Sequence, residues 1–139
     1  MGTNCNKKEG NAFETEFCEL LGKMGFWVHN MAQSQVGQPA DVIAVCNHKA
    51  ALIDCKVCSN KGFALSRIEP NQETAMEHWK QCGNGTSWFA IRFADEIYMV
   101  SKVEIDRLKR LNVTFLTQAD LKEYGTSLEL WGTALKWRY

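Results

Sequence analysis

The chain has 139 residues, 45% of them apolar and 23% charged, with 16 basic residues balanced by 16 acidic ones. A chain of this length buries roughly 70% of the surface it exposes when unfolded, so one core forms without disulfide staples. Zero net charge argues against holding nucleic acid by bulk positive charge alone, and the longest aliphatic run, Val42 to Cys46, falls far short of the ~20 residues of a membrane span.

The opening MGTNCNKKEG is followed by no apolar segment, so no secretory leader is expected. We read residues 1–9 as a flexible polar tail and 10–139 as a single domain. Phe13, Phe17, Leu20, Leu21 and Met24 share one face of a first helix, which Gly25 ends. Phe26 to Met31 reads as a strand, followed by the polar loop 33–39. Two β-rich runs, Asp41 to Cys46 and Ala50 to Cys58, flank Asn47-His48-Lys49 and predict an antiparallel hairpin. Pro70 opens a second helix that turns Ala75, Met76 and Trp79 inward and stops at Gly83. Trp88 to Phe93 and Ile97 to Val100 are further strands. Ser101 and Glu104 have capping-box spacing ahead of a helix through Leu111. Val113 to Leu116 reads as a short strand, and Thr117 caps a last brief helix. This order predicts an α/β fold with a mixed central sheet flanked by helices, not an all-parallel doubly wound one.

The hairpin carries the chemistry. Alternation places Leu52, Asp54, Lys56 and Cys58 on one face of their strand. A hairpin loop of two or four residues sets Asp41 opposite Asp54 or Lys56 on that face; an odd loop turns it away. Clustered carboxylates are hard ligands for Mg²⁺ or Mn²⁺, which lowers the pKa of a bound water and offsets phosphate charge. A neighbouring lysine orients that water or stabilises developing negative charge. Glu14, on the flank of the apolar stripe of the first helix, is the natural third carboxylate. Plainer readings stand beside these. Glu14 has capping-box spacing from Asn11, Asp41 suits a turn after Pro39, and Asp54 with Lys56 suits a surface charge pair.

Taken together, Gly10-Asn11-Ala12-Phe13-Glu14, then Asp41-Val42-Ile43-Ala44-Val45, then Asp54-Cys55-Lys56 resemble the PD-(D/E)xK nuclease signature. Within that superfamily the chain resembles the archaeal-type Holliday junction resolvases, and more loosely the RecU-type enzymes. The likeness runs over roughly residues 7–131. It takes in Leu65-Ser66-Arg67, Gln72, the strands from Trp88 to Phe93 and from Ile97 to Val100, and Ser127-Leu128-Glu129-Leu130. Two departures are visible: the proline precedes Asp41 by two residues rather than one, and the second acid is Asp rather than the commoner Glu.

The resemblance implies a restriction-endonuclease-like fold and hydrolysis of DNA phosphodiesters to 5′-phosphate ends. It implies Asp41, Asp54, Glu14 and the backbone carbonyl of Cys55 as ligands of Mg²⁺ or Mn²⁺, and Lys56 as the catalytic lysine. It further implies that Gln72 lies near the active site and that Ser34 contacts the scissile strand. The implied substrate is branched DNA, a four-way junction nicked in pairs by a homodimer. Other nucleases of the superfamily acting on duplex or flapped DNA, and a non-catalytic DNA-binding module of the same fold, are the competing functions.

Lys61 and Arg67, which follow the active strand, are candidate DNA contacts. Arg107, Lys109 and Arg110 cluster on the third helix, and Lys136-Trp137-Arg138-Tyr139 mixes cation and aromatic. Trp131 and Trp137 suit a dimer interface or the core. Cys55-Lys56-Val57-Cys58 is a CxxC, but strand parity points its thiols to opposite faces and no second CxxC completes a zinc site. We therefore expect six reduced cysteines in a cytoplasmic protein of a bacterial, archaeal or phage-infected cell.

Overall fold

A computed structural model describes the backbone of residues 3–31 and 40–137, with side chains except those of 3–9 and 136–137. Helix α1 (Thr3–Lys23) buries Phe13, Phe17 and Leu21 along one stripe. It ends where Gly25 takes φ +95° and the Phe26 N–H donates to the Leu21 carbonyl at 3.1 Å, a glycine C-cap. Its start at Thr3 places helical backbone in the stretch that composition alone assigns to a polar tail. The strands β1 (Trp27–Asn30), β2 (Val42–Cys46) and β3 (Lys49–Val57) follow. Then come β4 (Phe63–Ala64), a 3-10 turn at Leu65–Arg67, and α2 (Pro70–Gln81) with Pro70 in its first turn. The remaining elements are β5 (Trp88–Phe93), β6 (Glu96–Ser101), α3 (Lys102–Arg110), β7 (Phe115–Leu116), α4 (Gln118–Tyr124), β8 (Thr126–Ser127) and α5 (Leu128–Trp137).

The main sheet runs β1-β2-β3-β5-β6-β8, and β4 pairs with β7 in a small second sheet. Only β3 and β5 are parallel; the other neighbours are antiparallel. The expected mixed sheet is therefore present, with helices on both faces. On one face α1 and α5 pack Phe13, Phe17, Leu21 and Trp131 over Val42, Ala44, Ile53 and Met99. On the other, Met76 of α2, Ile105 and Leu108 of α3 and Leu121 of α4 cover Leu52, Phe89, Ile91 and Val100. Each face buries the alternate residues of the same strands, which is why β3 reads apolar on both sides.

Three expectations are corrected. The β2–β3 turn holds two residues rather than three: Asn47 and His48 take φ +51° and +65°, and Lys49 already pairs with Cys46. Two consecutive positive φ values are the type I′ geometry that matches strand twist. Ser101 caps α3, accepting from the Glu104 N–H at 3.0 Å, but the Glu104 carboxylate pairs with Arg107 rather than returning to the cap. Finally, α4 is not the last helix. Leu128, Trp131 and Leu135 form the inner stripe of α5, where Trp131 stacks on Phe26 at 5.6 Å and meets Trp88 edge-on at 5.8 Å. Trp131 is thus core. No helix among the described residues is long and apolar enough to cross a membrane.

Candidate active site

The two-residue turn sets the hairpin register, from Cys46↔Lys49 to Val42↔Ile53. Continued one step, that register brings Asp41 opposite Asp54. The chain bends at Asp41, whose N–H donates to the Ile53 carbonyl at 3.1 Å and whose carbonyl accepts from Met31 at 2.8 Å. Here β2 begins, so β3 runs on past it beside β5 to Val57↔Arg92. Asp41 takes the place of the missing ladder: its Oδ2 accepts from the Cys55 N–H at 2.7 Å.

Asp54 is fully buried. Its Oδ1 accepts from Gln72 Nε2 at 2.9 Å, and Lys56 Nζ stands 3.1 Å from Oδ2. The same ammonium also donates to Gln72 Oε1 at 3.3 Å, so Asp54 and Gln72 share it. Burial, together with the charge of Asp41, pushes the Asp54 carboxyl up to about 8, with Lys56 opposing the rise. Glu14 is buried on α1 and shares the same field. Burial and Asp41 raise it to about 7 against Lys56. Glu14 and Asp54, from α1 and the end of β3, therefore share the field of the Asp41 carboxylate and the Lys56 ammonium.

Gln72 is the hub. Besides its bonds to Asp54 and Lys56, its Oε1 accepts from the Glu69 N–H at 3.2 Å, one of the orphan donors at the start of α2. The family resemblance implied Gln72 near the site but not this double role.

Other candidates lie apart. Arg67 donates Nη1 to the Val57 carbonyl at 2.6 Å and lies over the Phe63 ring at 5.3 Å. Lys61 is exposed on the turn after β3. Arg107 and Lys109 are ion-paired with Glu104 and Glu73. Ser34 lies outside the described residues, as do the side chains of 136–139. Cys55 packs on the α1 side and Cys58 on the α2 side, and all five described cysteines are free thiols. Burial holds the Cys55 thiol well above its ordinary range. A cavity of about 640 Å³ bounded by His48, Trp88 and Trp131 lies at the other end of β3 and holds none of the acidic cluster.

Among the described residues, no three His, Cys, Asp or Glu side chains converge closely enough to hold a metal by themselves. The donor set is a pair of carboxylates with a backbone edge beside it. A hard cation that keeps waters in its shell suits such a set.

A mixed sheet carrying two carboxylates and a lysine where β2 begins and β3 ends is the frame of the restriction-endonuclease-like nucleases. The sequence profile of the family described as archaeal Holliday junction resolvase (Hjc) matches residues 5–133. The chain belongs to that family. In structure it is similar to Archaeoglobus fulgidus Hjc, a Holliday junction resolvase from an archaeal hyperthermophile. The TM-score is 0.68 at 16% identity, over 88% of this chain and 99% of that one. No curated protein matches the chain in sequence.

Proposed function

We propose that the cluster of Asp41, Asp54, Glu14 and Lys56 is the centre at which this chain, as a Holliday junction resolvase, hydrolyses the phosphodiester backbone of a four-way DNA junction. The observation that carries this is the buried Asp54 carboxylate, ion-paired with Lys56 at 3.1 Å and, like Glu14, raised first by burial and then by the charge of Asp41. Burying these charges destabilises the metal-free chain, and a cation that shares the carboxylates relieves that cost.

Asp41 and Asp54 would hold Mg²⁺ or Mn²⁺, with Glu14 completing the acidic set. In extended backbone the N–H and C=O of one residue point to the same side. The Cys55 carbonyl therefore belongs to the edge where its N–H meets Asp41, suited to a further ligand. When bound, the cation supplies an ionised water near neutral pH and screens the phosphate.

The chain's own groups do the rest. Lys56, held by Gln72 and Asp54, presents a fixed ammonium to the charge that develops on the phosphate. Gln72 holds that ammonium and Asp54 in one geometry. Cleavage leaves 5′-phosphate ends, and two copies related by a twofold axis place two centres on the junction for paired nicks. The protein works in the cytoplasm of its cell or host. Ser34 and Lys61 are auxiliary DNA contacts in this reading.

The test is cleavage of a labelled four-way junction, flap and linear duplex at equal concentration, with Mg²⁺, with Mn²⁺ and with chelator. Paired symmetric nicks in the junction alone, lost in Asp54→Asn and Lys56→Ala, are the expected result. Undiminished cutting by either variant sinks the assignment.

A further inference from the structure

Arg92 is the register partner of Val57, the residue that follows Lys56. Its guanidinium lies on the α1 side of the sheet, over the Phe13 ring at 5.6 Å. Nε donates to the Ala94 carbonyl at 3.1 Å, and Nη1 is paired with Glu16. On the opposite side of the same strand end, Arg67 lies over Phe63 and donates to the Val57 carbonyl. Two arginines, each seated on a phenylalanine ring, thus bracket the end of β3. Phe13 immediately precedes Glu14, so one turn of α1 supplies a site carboxyl, the ring under Arg92 and the carboxylate paired with it.

The pair is partly open: the Arg92 side chain is 27% exposed and that of Glu16 is 47% exposed. An ion pair of this exposure adds little to stability. What the ring and the Ala94 carbonyl do is fix the plane of the guanidinium in advance, and a fixed fork of donors fits a phosphate.

We propose that Arg92 binds a backbone phosphate of the DNA beside the cut, and that the Glu16 carboxylate occupies this phosphate subsite until DNA displaces it. The inference rests on the reading of the acidic cluster as the cutting centre. It also answers the charge balance. A chain with 16 basic and 16 acidic residues must bind DNA through a few local contacts. A carboxylate competing for one of them therefore tunes affinity noticeably.

The experiment is junction binding by the full-length chain carrying Asp54→Asn, followed by fluorescence anisotropy between about 50 and 200 mM salt. Added Arg92→Ala weakens binding about fivefold and lowers the salt slope by about 0.9, the loss of one phosphate contact. Glu16→Gln tightens binding about threefold, because the competitor loses its charge while the arginine remains. Arg92→Lys restores the salt slope without restoring full affinity. Thermal melting of each variant establishes that it is folded. An Arg92→Ala slope equal to that of the Asp54→Asn chain, or a Glu16→Gln variant that binds no more tightly, overturns the inference. Metal-dependent cutting by the unsubstituted chain is scored separately, so failure of the catalytic reading is distinguishable from failure of this contact.

Discussion

Gln72 joins Asp54 to Lys56. Its Nε2 donates to Asp54 Oδ1 at 2.9 Å, and its Oε1 accepts from Lys56 Nζ at 3.3 Å and from the Glu69 N–H at 3.2 Å. One amide thus links the start of α2 to both ionic groups of β3. Stability and site geometry are coupled through it.

Gln72→Ala leaves Asp54 Oδ1 buried without its donor and exposes an uncapped N–H. We expect a loss of about 1–2 kcal/mol in urea unfolding. Junction cutting in single turnover falls about tenfold or more as Lys56 loses its fixed position. Unchanged cutting with reduced stability would reduce Gln72 to a helix cap.

The raised carboxyls set a pH dependence. Asp54 stands at about 8 and Glu14 at about 7 in the folded chain, against ordinary values near 4 when unfolded. The folded state therefore holds more protons than the unfolded one between those limits, and stability falls as pH rises through them. The contribution is fully present below pH 4 and lost above about 8. In chelator, melting temperature should drop from pH 5 to pH 9 by about 5 °C more in the unsubstituted chain than in Asp54→Asn.

Added Mg²⁺ should reverse that loss. At pH 8 it raises the melting temperature of the unsubstituted chain by several degrees through mass action. It leaves Asp54→Asn nearly unmoved, although that variant melts higher in chelator. Equal responses of the two chains would argue against a cation at Asp54.

The hairpin turn offers a register test. His48 holds φ +65°, which costs a non-glycine residue about 1 kcal/mol. His48→Gly should therefore stabilise the chain by up to about that amount and leave cutting intact. A glycine inserted between Asn47 and His48 lengthens the turn but leaves Cys46 able to pair with Lys49, so cutting should survive it. A glycine inserted in β3 just before Asp54 moves Asp54 off Asp41 and onto the other face and should abolish cutting.

Trp131→Ala should cost about 3–5 kcal/mol in denaturant unfolding, as expected for an aromatic ring removed from a core. A stable variant whose only change is weaker self-association would return Trp131 to an interface.

The fold was legible where local chemistry and tertiary packing agree. The stripe from Phe13 to Met24, Gly25 after it, and Pro70 before α2 are signals that their own neighbours enforce. The hairpin was legible as a pair of strands, but its loop length was not. Asn47-His48-Lys49 reads as a three-residue turn until the pairing Cys46↔Lys49 is seen. Helix α5 was missed because its Leu128, Trp131 and Leu135 stripe gains its meaning only from Phe26 and Trp88, both far away in sequence. Arg92 passed as a strand residue, since nothing near it in sequence announces Phe13 or Glu16.

By itself the sequence determined the mixed α/β class, the acidic-x-lysine triplet, the family resemblance and the reduced-thiol reading of the CxxC. Each depends on residue type and spacing along a single segment. Only the tertiary structure decided that Asp41 completes the ladder at Cys55 and that Gln72 bridges Asp54 and Lys56. It alone showed that burial and the charge of Asp41 raise the Asp54 and Glu14 carboxyls. Those are relations across 14 to 18 residues or more of chain. Burial and Coulomb energy depend on distance in space, which spacing in sequence does not set.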